Sequence, residues 1–312
     1  MMTDTYDEEL RTSVERLSRD LANAAATMTK EEARFLVDAY YNMQDNRKRS
    51  DNQVRALAET KEPHMVLNWL ARQSDILEAQ IKRALDKYSA AQPVGQWARS
   101  ITGIGPVIAA GLLAHIDIEK APTVGHIWSF AGLEPSRVWG KGQKRPWNAA
   151  LKVLCWKIGE SFVKVQNNVD DVYGKVYAER RVRENRNNDS GLFAEQAKQS
   201  LKDKEFGKDT DAYAWYAGCY PAGTTEAVLA MSAEKRIAFL KSIKGEPGSG
   251  QPMLPPARLL LRAQRYAVKR FLAHYHEVAY WDRFKHAPPN PYPIGIMGHD
   301  AVHKVPPPNF KQ

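Results

Sequence analysis

The sequence predicts an all-α protein that folds as a helical bundle. Two observations carry this prediction. Apolar residues recur at spacings of three and four in nearly every patterned stretch, as they do along one face of a helix. No stretch has the alternation with a period of two that a half-buried strand requires. At 312 residues, 43% of them hydrophobic, the chain is long enough for one large domain or two small ones.

The N-terminal part, residues 1–96, is predicted to be helical throughout. Thr29 followed by Glu32 is a capping-box signature, which predicts that a helix begins there. A second apolar stripe is long enough for a helical hairpin or a short coiled coil. Its members are Val66, Leu70, Leu77, Ile81, Leu85 and Tyr88. Packing within the chain and pairing of two copies as a homo-oligomer are both open explanations for this stripe.

Residues 101–113, ITGIGPVIAAGLL, have the pattern of a helix-hairpin-helix motif. Ile101 and Ile104 would pack inward, while Gly103 and Gly105 permit a tight turn and a close approach to a ligand. Outward-facing backbone N–H groups at a helix N-terminus favour an anion such as a DNA phosphate. The predicted nucleic-acid contacts of the hairpin are Thr102, Gly103, Ile104 and Gly105. A purely structural turn between two helices is the alternative.

A short helix and a strongly basic loop follow the hairpin. Thr123 is the predicted cap of the short helix, which ends at Gly132. Residues 137–164 then carry seven basic side chains against one acid, Glu160, in a chain of net charge +9. Basic residues interleaved with tryptophan and glycine suit a nucleic-acid backbone, and a solvated basic loop is the alternative. The predicted contacts are Arg137, Lys141, Lys144, Arg145, Asn148 and Lys152.

The run from Ile101 to about Leu154 resembles the C-terminal domain of the DEDD-type insertion-sequence transposases. This group includes the bridge-RNA-guided recombinases and the Piv-like DNA invertases. The resemblance rests on ITGIGPVIAAGLLAHI, on a spacer with Pro122, on IWSFAGLEP, and on the glycine-bearing basic loop with Asn148 after it. It covers about a fifth of the chain. The resemblance implies that this domain grips DNA and that a serine in the loop after the Gly-Leu-x-Pro turn is the nucleophile.

The sequence departs from this family in two respects. The family carries an upstream RNase-H-like domain whose four acidic metal ligands begin on a strand, whereas residues 1–96 are predicted to be helices. We therefore expect the metal-binding half to be absent from this chain. The loop that usually holds Ser-Gly-Gly reads VWGKG here, so Ser136, three residues earlier, is the candidate catalytic residue. A serine nucleophile also needs an activating group, and the sequence nominates none.

The C-terminal half is predicted to be helical, with one long amphipathic helix over 257–284. One face of that helix is a basic ridge, for which nucleic-acid contact and a solvated face are both open. The ridge residues are Arg258, Arg262, Arg265 and Lys269. Asn185–Gly191 and Gly245–Pro256 are predicted to be loops because they are rich in Asn, Gly or Pro. The proline-rich tail after Pro288 is expected to be extended and packed, or disordered.

The predicted domain organisation has four parts: an N-terminal helical region (1–96), a helix-hairpin-helix transposase-like domain (97–186), a C-terminal helical region (187–287) and a proline-rich tail (288–312).

The composition excludes several classes of protein. No apolar run approaches the length of a membrane span, and the acidic start is unlike a signal peptide. Two cysteines cannot build a disulfide framework or a cysteine-rich zinc site, which makes a reducing cytoplasm the simplest compartment. No cofactor or metal site is identified.

The predicted function is that of a DNA-binding, transposase-like protein of a mobile element, active in transposition or recombination. DNA is the expected partner, and structured RNA stays open as a second one. A nucleic-acid-binding protein that has lost catalysis is the first alternative. A helical module that binds other proteins and no nucleic acid is the second.

Overall fold

The computed structural model describes residues 17–58, 65–136, 139–290, 292–298, 300 and 304–311. Within these ranges the chain forms helices and turns and no strand, which confirms the all-α prediction. The helices are α1 (Arg19–Ala24), α2 (Lys30–Ala58), α3 (Met65–Ala90), α4 (Pro93–Arg99), α5 (Pro106–His115), α6 (Val124–Phe130), α7 (Ala149–Val165), α8 (Tyr173–Asp189), α9 (Ala194–Asp203), α10 (Asp211–Tyr216), α11 (Thr224–Ala227), α12 (Ala233–Ile243), α13 (Pro256–Phe284) and α14 (Tyr292–Gly295). Of the helices described, none combines the length and the apolar character needed to cross a bilayer.

The described chain divides into two compact units. The first unit holds the described residues up to Cys155 together with those from Leu272 onward, and the second unit is Trp156–Phe271. The division falls within α7 and within α13, each of which is one continuous helix. The four functional parts proposed from the sequence stay a prediction.

Helix α2 begins with the capping box that the sequence predicts. The backbone N–H of Thr29 donates to Glu32 Oε2 over 2.7 Å, and the backbone N–H of Glu32 donates to Thr29 Oγ1 over 3.2 Å. These reciprocal bonds satisfy donors that have no partner inside the helix. The hydrogen bonds from Thr29 also lower the pKa of the Glu32 carboxyl below its ordinary value.

The core of the first unit lies where α2, α3 and α5 pack together. Its buried side chains include Ala33, Val37, Leu85, Tyr88, Ala109 and Leu112. The predicted stripe on α3 divides: its C-terminal end is buried in this core, whereas Val66, Leu70 and Leu77 are exposed. Packing within the chain therefore accounts for one end of the stripe, and pairing of two copies through the other end stays a prediction.

The second unit contains a buried cluster of three packed aromatic rings. The rings of Phe162, Tyr173 and Phe271 lie within 5.1–5.6 Å of one another, in one stacked pair and two edge-to-face pairs. Pairs in these geometries are favourable beyond the apolar area that they bury.

The predicted loop at Asn185–Gly191 is wrong for its first five residues, which form the end of α8. Asn188 is fully buried: its side-chain amide donates to the Leu254 carbonyl over 3.0 Å, and its Oδ1 accepts from the Leu254 N–H over 2.9 Å. Asp189 accepts the backbone N–H groups of Thr225 and Glu226 at the start of α11. Long-range hydrogen bonds therefore override the turn preference of these residues. The second predicted loop, Gly245–Pro256, is confirmed up to the start of α13.

Candidate nucleic-acid interface

Helices α4 and α5 are joined by a tight hairpin. Gly103 has a φ of +92°, in the left-handed region that favours glycine. Ile101 and Ile104 are buried, as the sequence predicts, and Gly105 is exposed. The backbone N–H of Ile104 donates to the Ile101 carbonyl over 2.9 Å. That amide is therefore used inside the turn, which corrects the expectation that the hairpin amides face outward as a group.

The N-terminus of α5 begins directly after Gly105. Pro106 occupies its first turn, and Gly105 at the N-cap has no side chain with which to cap the following amides. A Cβ added at Gly105 would meet no heavy atom within 4 Å among the described residues. A ligand can therefore come close to the backbone at the positive end of the α5 dipole.

Helix α6 ends in the manner that the sequence predicts at Gly132. The N–H of Gly132 donates to the Ser129 carbonyl and that of Leu133 to the Trp128 carbonyl, which is a Schellman motif. Gly132 has a φ of +64°. Thr123 precedes the helix as predicted, but its Oγ1 lies 3.0 Å from His126 Nδ1 and caps no backbone amide of the helix.

The far end of the basic loop is fixed against the C-terminus of α6. A Cβ added at Gly132 would lie 2.8 Å from Trp147 Cγ, so the indole packs directly on the glycine. The Asn148 N–H donates to the Phe130 carbonyl over 2.8 Å. Asn148 Oδ1 accepts the Leu151 N–H over 2.8 Å and thereby caps α7. The side-chain oxygen of Asn148 therefore has a structural role, and its predicted contact with nucleic acid stays a prediction.

Two tryptophan rings of the loop make cation–π contacts, one with a loop arginine and one with a lysine on α7. The Arg145 guanidinium lies 5.0 Å from the centre of the Trp139 ring, and Lys152 Nζ lies 4.0 Å from the centre of the Trp147 ring. The two rings meet edge to face with their centres 6.5 Å apart. These cation–π contacts restrict the side chains while leaving their charges available.

The loop backbone is tied to the same indole. Trp139 Nε1–H donates to the Gln143 carbonyl over 2.7 Å, and Gly142 turns the chain with a φ of +85°. The predicted contacts Lys141, Lys144, Arg145 and Lys152 are all exposed. Arg137 lies outside the described residues.

Ser136, the candidate nucleophile, is exposed on the turn before the loop. Its hydroxyl donates to Glu134 Oε1 over 2.7 Å. The sequence pattern alone does not identify Glu134 as the partner of Ser136, although the two residues are only two positions apart. Among the described residues, no three His, Cys, Asp or Glu side chains are grouped as metal ligands.

The basic ridge on α13 belongs to the second unit, and one of its members is held by a carboxylate. Arg262 Nε lies 2.7 Å from Oε2 of Glu184, whose side chain is 1% exposed. Arg180 Nε donates to the other oxygen of that carboxyl over 2.7 Å. The ridge therefore does have an acidic partner, which comes from α8 and could not be seen along α13. Burial lowers the pKa of Arg265, and the nearby positive charges of Arg258 and Arg262 lower it further. The three arginines of the ridge therefore repel one another electrostatically.

One comparison with known proteins identifies part of this region. The family model described as the transposase IS116/IS110/IS902 family matches residues 95–145. No curated protein matches the chain, and no solved structure matches it. The matched residues run from α4 through the hairpin and α6 to Arg145 in the basic loop. The segment that contains the hairpin and most of the basic loop is thus similar in sequence to a transposase family.

Proposed function

We propose that this protein binds DNA as a transposase-like component of a mobile element and acts in transposition or recombination. The observation that carries the proposal is the match of residues 95–145 to a transposase family, because that segment includes the hairpin and the exposed lysines and arginine of the loop. The finer assignment to the DEDD-type and Piv-like recombinases rests on the sequence resemblance.

In this proposal, DNA is held through its backbone rather than through its bases. Phosphate contacts fix the position of a protein on a duplex without sequence readout. The open backbone at Gly105 would receive one phosphate at the start of α5. Lys141, Lys144 and Arg145 would neutralise neighbouring phosphates, because no acidic residue lies between position 137 and Glu160 to oppose them.

Cation–π contacts prepare the loop for this task. Arg145 and Lys152 each have one orientation supported by an indole, so less side-chain entropy is lost when a phosphate arrives. On α13, Arg258, Arg265 and Lys269 are proposed as a second contact surface, whereas the guanidinium of Arg262 is bonded to Glu184.

The test is a binding titration with a short duplex, a branched junction and a structured RNA. The variant is Lys144→Glu combined with Arg145→Glu. Its matched control is Lys204→Glu combined with Lys208→Glu, two exposed lysines of the second unit, which change the net charge equally. The proposal expects the loop variant to bind much more weakly and the control to bind as the wild type does. Equal loss in both variants would indicate bulk charge alone, and no binding by the wild type would favour the protein-interaction module.

Strand cleavage is the catalytic part of the proposal. Ser136 Oγ would attack the phosphorus of a phosphodiester while its proton passes to Glu134, to which the hydroxyl already donates. A serine–phosphate bond would form as the P–O bond to one deoxyribose breaks, and that oxygen would take up a proton and leave as the hydroxyl end of the cut strand. A covalent protein–DNA adduct that disappears in Ser136→Ala and weakens in Glu134→Gln is the expected result.

Binding without cleavage is the second candidate function. It is favoured by the helices α1–α3, which lie where the resemblance places strand-borne acids, and an adduct unchanged in Ser136→Ala would remove Ser136 from the proposal.

We place the protein in the cytoplasm. Cys155 and Cys219 are free and buried, and burial raises the pKa of the Cys155 thiol to about 12. A buried thiol with a raised pKa is an inert structural residue, in keeping with a reducing compartment.

A further inference from the structure

The described end of the chain, residues 304–311, is a C-terminal strap that lies against the hairpin. Trp97 Nε1–H on α4 donates to the Pro308 carbonyl over 2.8 Å. The side-chain amide of Asn309 donates to the Ser100 carbonyl over 3.1 Å and to Ser100 Oγ over 3.3 Å. More than two hundred positions separate these partners along the chain. Of the two states predicted for the proline-rich tail, these residues have the packed one, with a turn at Pro308 and Asn309. The prediction of an extended chain is wrong for Tyr292–Gly295, which form α14.

A second set of contacts anchors the strap to α13 within the same unit. Lys304 Nζ lies 3.0 Å from Oε1 of Glu277, whose side chain is 9% exposed. His274 Nε2 lies 3.0 Å from the Val305 carbonyl, and because a carbonyl only accepts, the imidazole is the donor. Pro307 is buried between these anchors and the hairpin contacts. The strap is therefore fixed at one end before it reaches Ser100.

Ser100 is the position at which a strap would most affect the hairpin. It is the C-cap of α4, and the next five residues are Ile101–Gly105. The last carbonyls of a helix lack partners inside the helix, and Asn309 supplies one. Asn309 itself has a φ of +58°, a conformation that asparagine tolerates better than most residues. The contact thus joins a specialised strap residue to the helix end from which the hairpin begins.

We propose that the strap positions the hairpin for its DNA phosphate, with Asn309 as the positioning residue. This inference rests on the proposed function. A hairpin held at Ser100 has less freedom to lose when DNA binds, and the gain appears as affinity. The strap is not assigned a phosphate contact of its own, although its residue Lys311 is exposed.

The test compares Asn309→Gly with Lys311→Ala. Glycine keeps the positive φ at position 309 and removes only the amide that reaches Ser100. Loss of two hydrogen bonds predicts that the dissociation constant for duplex DNA rises about five- to tenfold in Asn309→Gly. Because no phosphate contact is removed, the slope of log K against log salt concentration should not change. Lys311→Ala should leave this slope unchanged as well. A slope lower by about one in Lys311→Ala would show that Lys311 contacts a phosphate directly.

Amide hydrogen exchange supplies a readout that a general loss of stability would not produce. Exchange at residues 100–105 should accelerate more in Asn309→Gly than exchange in α2 and α3, which should change only by the small loss of global stability measured in urea. Wild-type affinity together with wild-type exchange in Asn309→Gly would overturn the positioning role. Failure of the wild-type protein to bind any DNA would overturn the proposed function and with it the role of the strap in binding.

Discussion

Replacing Gly132 by alanine tests whether the turn at the end of α6 and the basic loop pack together as one structural unit. Gly132 has a φ of +64°, so alanine introduces left-handed strain of about 1 kcal/mol. The new Cβ would also lie 2.8 Å from Trp147 Cγ and 3.0 Å from Cδ1 and Cδ2. These are ring atoms close to the backbone, so the whole indole must shift, at a packing cost of about 1–3 kcal/mol. The expected loss of unfolding free energy is therefore about 2–4 kcal/mol.

Gly142→Ala is the matched control. Gly142 has a φ of +85°, but its added Cβ would meet no heavy atom within 4 Å in the described part of the chain. It should lose only the strain, about 1 kcal/mol, so the excess in Gly132→Ala measures the contact with Trp147. Urea unfolding followed by far-ultraviolet circular dichroism gives both values.

A double-mutant cycle isolates the same contact. In a Trp147→Ala background the indole is gone, so Gly132→Ala should cost no more than Gly142→Ala does. Trp147 also supports Lys152, whose Nζ is 4.0 Å from the ring centre, so Gly132→Ala should weaken DNA binding as well. Equal costs for Gly132→Ala and Gly142→Ala in the wild-type background would refute the idea that the indole is seated on the turn.

Three further predictions concern single positions. Gly105→Ala should fold with a loss of no more than about 1 kcal/mol, since alanine is a poorer N-cap than glycine. It should bind duplex DNA less tightly, because its methyl group occupies the open approach to α5; unchanged affinity would exclude a phosphate at this point. Burial lowers the pKa of His276, whose Nε2–H donates to the Ala121 carbonyl over 2.8 Å. The folded state therefore holds this histidine neutral while the unfolded chain takes up a proton below about pH 6.5. Stability should fall as the pH drops from 7 to 5, and a loss equally steep in His276→Gln would contradict this assignment. Glu184→Gln should lower the free energy of unfolding in urea by about 2–3 kcal/mol, since Arg180 and Arg262 lose their buried carboxylate. A loss below about 1 kcal/mol would show that solvent replaces the carboxylate.

Local patterns were sufficient for the all-α class and for some of the helix ends. The Thr29 and Glu32 capping box and the glycine at position 132 need only neighbouring residues to form, so the sequence contains the whole signal. Asn185–Asp189 shows the opposite case. Its residues favour turns in isolation, but long-range bonds to residues near 225 and 254 keep them helical.

The candidate site was predictable in outline and not in its contacts. Spacing and charge identified the hairpin and the loop, since both are continuous in the sequence. The bond between Glu184 and Arg262 joins two helices, and the bond between Asn309 and Ser100 joins two ends of one unit. No periodicity reports such partners, because they are brought together by the packing of the core rather than by their position along the chain.

The most direct test of the account is the salt dependence of binding to a short duplex, measured for the wild type and for Lys144→Glu combined with Arg145→Glu. If both side chains neutralise phosphates, the slope of log K against log salt concentration should become shallower by about two in the variant. The control pair at Lys204 and Lys208 should keep the wild-type slope. A slope that is the same in all three proteins would contradict the assignment of the DNA-binding surface to the basic loop.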